Sequence, residues 1–304
     1  MALLEIDFDL RLRLALFDHV ERLRREGGGV IPSQKLNEGM HFEGERVPIW
    51  NQQRGIFKPA ILGRDGPALT IQTSYRDPYE DTLHPDDDKL LYRYQGDDPQ
   101  HHDNRAMRRA MERGRPLLYL VAVKQALYEP IFPCYIVGDV PERLTFLLIA
   151  DSERLITPAT NVDQDWPRKA YVTREVKQRL HQRRFRYLVL DAYREQCAMC
   201  HLRHTPLLDA AHILPDRDER GSPEVPNGMA LCRIHHGAYD IDILGVDPDY
   251  RIHVRADVLE EIDGPMLRHG LQELQGSRLQ VPGKSALRPR RDYLEERFAR
   301  FSAA

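Results

Sequence analysis

The sequence predicts an α+β protein in two parts, a β-rich N-terminal region over residues 1–160 and a metal-stapled C-terminal region over residues 170–304. Three observations carry that expectation. The chain has 304 residues, about twice a domain of about 150 residues. Its hydrophobic pattern passes from helical spacing to short apolar runs broken by turn residues, and then to one long amphipathic segment. Three of its four cysteines, Cys197, Cys200 and Cys232, fall in a window rich in histidine.

The first helix is expected over roughly Asp7 to Glu26, where Leu10, Leu14, Phe17, Val20 and Leu23 recur at helical spacing and Gly27, Gly28 and Gly29 supply a stop. From there to about Ala150 the runs VPIW, ALTIQTS, PLLYLVAVK, IFPCYIV and LTFLLIAD read as strands. A basic helical insertion interrupts them around Asn104 to Arg113. The polar, proline-bearing stretch Ile156 to Pro167 marks a boundary between domains. Beyond it a long amphipathic helix is expected over about Val172 to Gln196, with Val172, Val176, Leu180, Leu188 and Ala192 on its apolar face. The arginine-bearing tail RPRRDYLEERFARF reads as a short terminal helix.

Composition excludes several classes. With 41% apolar and 30% charged residues the chain can build packed cores, so wholesale disorder is out. No stretch approaches the roughly 18 apolar residues of a membrane span, and the start MALLEIDFDLRLR carries acids where a secretion signal needs basic and then apolar residues. A soluble cytoplasmic protein is the expectation. The formal net charge of -3 hides segregation. Arg76 to Asp103 holds nine acids against three bases, whereas Tyr171 to Thr205 holds eight bases against three acids. The acidic stretch reads as a solvated loop. The fourth cysteine, Cys134, sits in an apolar run and reads as a core residue.

Chemistry concentrates between Cys197 and Asp240. Cys197 and Cys200 form a C-x2-C knuckle, and Cys232 and His235 a C-x2-H pair at the start of a helix. Three thiolates and one imidazole make a closed tetrahedral set, the kind structural zinc prefers. Four unrelated reduced residues are the bland alternative, disfavoured by two spaced pairs in so short a window. Interleaved with them, His212 lies in the apolar run LLDAAHIL, Asn227 in the turn PNG, and His236 and Asp240 four residues apart on one helical face. Such a pair can hold one divalent cation jointly. His235 and His236 point about 100° apart, so one can serve zinc while the other serves a second ion.

The ordered set His212, Asn227, His236, with NG-x2-LC-x2-HH-x3-D, resembles the ββα-metal, or HNH, endonuclease family. The lead-in RLHQRRFRYLVLDAY is similar to that of bacterial restriction-type members. The resemblance covers roughly Val172 to Val254. It implies hydrolysis of a DNA phosphodiester with Mg2+ or Mn2+ held by His236 and Asp240, beside a structural Zn2+. His212 would be the general base, since an imidazole with an ordinary pKa near 6.5 suits proton abstraction at cellular pH. Asn227 would brace the loop that positions His212. Arg179, Arg183, Arg184 and Arg186 on the long helix would contact DNA phosphates. Many relatives place a metal-binding Asp or His immediately before the base, where this chain has Ala211. Asp209, two residues earlier, either reaches the ion or only supports the fold.

A motif this small has little room to choose a target, so the N-terminal region is expected to supply recognition of double-stranded DNA. A barrel of the PUA or SRA kind, which holds a flipped modified base, fits the strand count and the aromatics Trp50, Tyr75, Tyr79, Tyr92 and Tyr94. Those aromatics serve equally as core. Arg105, Arg108, Arg109, Arg113 and Arg115 offer a second set of phosphate contacts. The leading expectation is a restriction or defence endonuclease dependent on modified bases, working as a homodimer because one motif cuts one strand. Its rivals are a nuclease of low specificity in repair or degradation, and a non-catalytic zinc-containing DNA-binding module.

Overall fold

The computed structural model describes residues 7–73, 89–150, 166–215, 218 and 220–303. They form a mixed α+β molecule of two compact units, residues 1–180 and 181–304. Among the described residues no helix is long and apolar enough to cross a membrane. Tyr75, Tyr79, residues 76–88 of the acidic stretch and the expected boundary up to Asp165 lie outside the described residues.

In the first unit, helix α1 (Phe8–Glu26) starts at Asp7, whose carboxylate accepts from the Leu10 N–H at 2.9 Å. Its buried stripe is Leu12, Leu16, Phe17 and Val20. Arg13 is buried with it and donates to Asp9 and to the carbonyls of Pro116 and Ala68, anchoring the helix to the sheet. Burial lowers the Arg13 pKa to about 10, leaving it charged at neutral pH. There follow β1 (Ile31–Pro32), α2 (Ser33–Glu38), β2 (Met40–Phe42), β3 (Glu45–Val47), β4 (Ile56–Phe57), β5 (Thr70–Gln72), β6 (Leu90–Arg93), α3 (His102–Glu112), β7 (Leu117–Lys124), β8 (Leu127–Val140) and β9 (Thr145–Ala150).

The main sheet runs β4-β5-β7-β8-β9-β6, with β1 added to β8. Among the described residues only β5 and β7 pair in parallel in this sheet; its other pairs are antiparallel. Strand β7 reads as an unbroken apolar run because both its faces are covered. Leu117, Tyr119 and Val121 enter one core, and Leu118, Leu120 and Ala122 enter the other, beneath α1. The sheet curls: the Tyr92 hydroxyl on the last strand, β6, reaches the carbonyls of Gly55 at 2.7 Å and Gln72 at 3.2 Å, beside β4 and β5 at the other end.

The described aromatic residues of that set resolve as core. Trp50 is buried, donates to Asn37 Oδ1 at 2.9 Å and meets Tyr128 edge to face. Tyr92 and Tyr94 are buried too, and the Tyr94 hydroxyl bonds Asp139 and Arg108. The run VPIW contributes only Val47 to a strand; Ile49 and Trp50 are buried in irregular backbone. Cys134 lies in β8 opposite Leu117, fully buried, and burial pushes its thiol up to about 12. Three arginines expected to face phosphates are engaged within the unit: Arg108 with Asp139, Arg109 with the Gly66 carbonyl, and Arg115 with Asp7 and Asp9.

Helix α4 (Trp166–Ala192) starts six residues before its expected position, with Pro167 tolerated in the first turn. It ends before Gln196 because Arg194 and Glu195 take left-handed backbone, at φ 57 and 53. Its buried positions change along its length. Val176 and Leu180 join a core of the first unit, and Phe185, Val189 and Leu190 join the core of the second.

The second unit continues with β10 (Leu208–His212), β11 (Gly228–Cys232), α5 (Arg233–Asp240), β12 (Leu244–Val246), β13 (Ile252–Val254), α6 (Ala256–Glu260), α7 (Pro265–Gly270) and α8 (Arg291–Ser302). Strands β10 and β11 are an antiparallel hairpin in which Leu208 pairs with Cys232 and His212 with Gly228. At Gly228 the chain passes so close to α4 that a Cβ would stand 2.6 Å from Val189 Cγ2 and 2.7 Å from Phe185 Cζ. Gly228→Ala should therefore cost about 1–3 kcal/mol through overpacking, read as a lowered thermal midpoint.

Candidate active site and metal centre

The zinc-type cluster is assembled by a knuckle, a strand end and the first turn of a helix. Ala198 N–H donates to the Ala230 carbonyl at 2.7 Å, pinning the Cys197–Cys200 knuckle to β11, and His201 in left-handed backbone at φ 63 closes it. Cys232 ends β11 and caps α5, which carries His235 into the core. The ligand atoms of Cys197, Cys200, Cys232 and His235 all lie within 4.8 Å of one another. His235 Nδ1 stands 3.4 Å from Cys197 Sγ and 3.2 Å from Cys232 Sγ, and Cys200 Sγ is 4.0 Å from Cys232 Sγ. Tetrahedral zinc requires S···N and S···S edges of about 3.5 and 3.8 Å, so the four donors fit the ion.

The outer contacts agree. His235 Nε2 lies 2.8 Å from the Gly270 carbonyl, so that nitrogen donates and Nδ1 is the one turned toward the sulfurs. Contacts among the sulfurs hold Cys232 well below the thiol range and drive Cys200 well above it. Burial lowers His235, but its bonds to Cys197 and Cys232 outweigh burial and raise it to about 10. Sulfurs packed this closely cannot all ionise without a cation among them.

On the other side of α5 a cleft of about 300 Å3 is lined by His212, Ile213, Pro215, His236, Asp240, Arg297 and Arg300. His212, the last residue of β10, stacks on Phe185 with ring centroids 4.0 Å apart and planes 21° apart. His236 lies between two carboxylates, with Nε2 3.4 Å from Asp240 Oδ2 and Nδ1 3.8 Å from Asp209 Oδ2. The first distance is near the about 3 Å edge of an octahedral shell around Mg2+. Asp209 faces the opposite nitrogen, the position from which a carboxylate orients a ligating imidazole. Ala211 is fully buried.

Asn227 is buried beside the cleft, not in it. Its amide donates to the Leu214 and Ser222 carbonyls and accepts from the Leu214 N–H, clasping the 213–227 loop at both ends. Of the helix arginines, Arg186 donates to the Thr205 and Leu208 carbonyls and sits 3.6 Å from Asp209, and Arg179 pairs with Glu129 at 2.9 Å. Arg183 and Arg184 are half-buried.

Helix α8 supplies what the sequence reading left out. Arg297 is buried over the Tyr239 ring, bonded to Asp242 and to the Tyr239 carbonyl. Arg300, half exposed, donates to Asp242 at 3.0 Å and to the Asp240 carbonyl at 3.1 Å. Burial pushes the Asp242 carboxyl up, but these two guanidinia outweigh it and hold it below its ordinary value. They satisfy carbonyls at the C-terminal end of α5 and bring positive charge to the cleft. The signal available in sequence was a pair of arginines three apart on one helical face, in the terminal run ERFARF, which has no fixed motif.

Residues 197–247 match a family model described as HNH endonuclease. This segment is similar to HNH endonucleases. It contains the whole zinc-type cluster together with His212, Asn227, His236 and Asp240, whereas Arg297 and Arg300 lie beyond the HNH segment. Two solved structures resemble the chain, each at 15% identity. One, titled a modification dependent TagI restriction endonuclease, covers 82% of this chain and 86% of its own at a TM-score of 0.30. The other, titled a Type IV phosphorothioation-dependent restriction endonuclease, ScoMcrA, covers 78% of this chain and 52% of its own at a TM-score of 0.22. No curated protein sequence matches the chain significantly.

Proposed function

We propose that the chain is a cytoplasmic, metal-dependent DNA endonuclease of restriction or defence type, with residues 170–304 as the nuclease and residues 1–160 as the reader of DNA. The observation that carries this reading is the cleft in which His212 shares one wall with the His236–Asp240 pair, inside the HNH segment. Cys197, Cys200, Cys232 and His235 would hold zinc as a staple, with no position left for substrate.

His236 and Asp240 would hold a divalent ion, which would supply positive charge beside the scissile phosphate. His212 takes the proton of the attacking water, and the Phe185 ring keeps its imidazole plane fixed. Asp209, 3.8 Å from Nδ1, would steer His236 so that Nε2 faces Asp240. Asn227 keeps the 213–227 loop closed around the end of β10. Arg300 offers its exposed face to a phosphate oxygen.

The curled N-terminal sheet is proposed as a PUA- or SRA-like reader of a modified base. Since Trp50, Tyr92 and Tyr94 are core residues, the base would be held by other side chains. A homodimer would bring two clefts to the two strands. The test is cleavage of DNA of one sequence with and without base modification. Preferential cutting of the modified form supports the reader, and equal cutting overturns modification dependence while leaving the nuclease standing.

A further inference from the structure

The arginines of α4 that the sequence marks as DNA contacts are partly spent inside the protein, whereas a different surface of the second unit carries more guanidinium charge than its nearby acids cancel. The turn between β12 and β13 places Tyr250 in left-handed backbone at φ 63. Asp247 fixes the turn by accepting from the Asp249 and Arg251 N–H groups, each at 2.9 Å. The Tyr250 hydroxyl donates to the Pro289 carbonyl at 3.0 Å, so the ring is locked from both ends. Around it lie two adjoining clefts of about 470 and 530 Å3 that share Tyr250, Arg288 and Arg291. Arg251 and Arg278 line the first and Arg290 the second.

The charge balance decides what these clefts can hold. Arg291 pairs with Asp249 at 3.2 Å and Arg290 with Asp292 at 2.7 Å, and Glu224 also lines the second cleft. Arg251 and Arg288 donate to carbonyls, of Gly276 and Pro282, which fix their position without neutralising them. Arg278 is exposed and makes no side-chain hydrogen bond or ion pair among the described residues. Three uncompensated guanidinia therefore surround a rigid aromatic floor. Guanidinia are weakly hydrated forks that match phosphate oxygens, and those already held in place lose little freedom on binding. The first cleft, which all three guanidinia line, is by itself larger than one phosphate needs, and Arg288 carries the charge on into the second.

We infer that the Tyr250 cleft binds successive phosphates of a DNA strand and is a main sequence-independent docking surface of the nuclease unit. This rests on the proposed action on DNA. The test measures the affinity of the full chain for a labelled duplex as a function of salt, in the His212→Ala background so that the DNA stays intact. Changing Arg251→Gln and Arg278→Gln together should weaken binding about tenfold at 0.1 M salt, equally on unrelated sequences, and reduce the salt slope by about two. Arg251→Lys with Arg278→Lys should keep most of the slope, because charge is retained. Unchanged affinity and slope in the glutamine variant would overturn the inference, as would a loss confined to one DNA sequence. If the parent chain binds no duplex at all, the proposed action on DNA fails first. Competition by millimolar inorganic phosphate that abolishes duplex binding would reduce the cleft to a single-anion site and also overturn it.

Discussion

His212→Ala should slow DNA cleavage by about a hundred- to ten-thousandfold, the usual contribution of a positioned general base, while DNA affinity and folding stay close to the parent protein. The imidazole is half-buried at a strand end, stacked on Phe185, and lines the same cleft as His236 and Asp240. Its removal takes away a proton acceptor without breaking the β10–β11 ladder, which is made by backbone groups. Because the loss would lie in the chemical step, single-turnover kinetics should show it in full with saturating DNA. An Asn227→Ala variant should behave differently. Asn227 makes three hydrogen bonds to the loop and faces none of the cleft lining, so its loss should lower stability as well as rate.

Cys232→Ser should abolish tight zinc binding and unfold the second unit. Cys232 serves two structures at once, as the last residue of β11 and the cap of α5, so losing its metal bond releases both. A structural zinc contributes about 10–16 kcal/mol of apparent binding free energy, comparable to or above the about 5–15 kcal/mol that keeps a whole domain folded. Helix α5 has only eight residues, too few to persist without tertiary support, and His236 and Asp240 ride on it. Metal analysis of the parent chain should give about one zinc per molecule, and circular dichroism of the variant should show loss of ordered structure. A Cys232→Ser protein that keeps its fold and its zinc would contradict the assignment.

The metal-binding segment was legible in sequence because all its parts lie within a short stretch where spacing dictates geometry. A C-x2-C knuckle, a C-x2-H helix start and an i,i+4 pair need only local backbone to bring their donors together, and the structure brings together Cys197, Cys200, Cys232 and His235. The run PLLYLVAVK was legible as β7 for the same local reason. What escaped comes from distant pieces of chain. Arg297 and Arg300 reach the cleft from some sixty residues beyond α5, and no spacing rule links them to His236. The parallel pairing of β5 with β7, and the return of β6 to the far end of the sheet, are choices among topologies that periodicity does not rank. The basic face of α4 misled in a related way. Sequence counts an arginine as a charge available to solvent, but Arg186 is committed to the Thr205 and Leu208 carbonyls and Arg179 to Glu129.

Whether the cleft of His212, His236 and Asp240 is a working nuclease site is tested most directly on supercoiled plasmid incubated with Mg2+ or Mn2+, drawn from DNA with and without base modification. The parent chain should convert at least one of these plasmids to nicked or linear form, and His212→Ala should not, though it still binds them. If both proteins bind the plasmids and both leave them intact, the cleft is not catalytic and the second unit is a zinc-containing DNA-binding module.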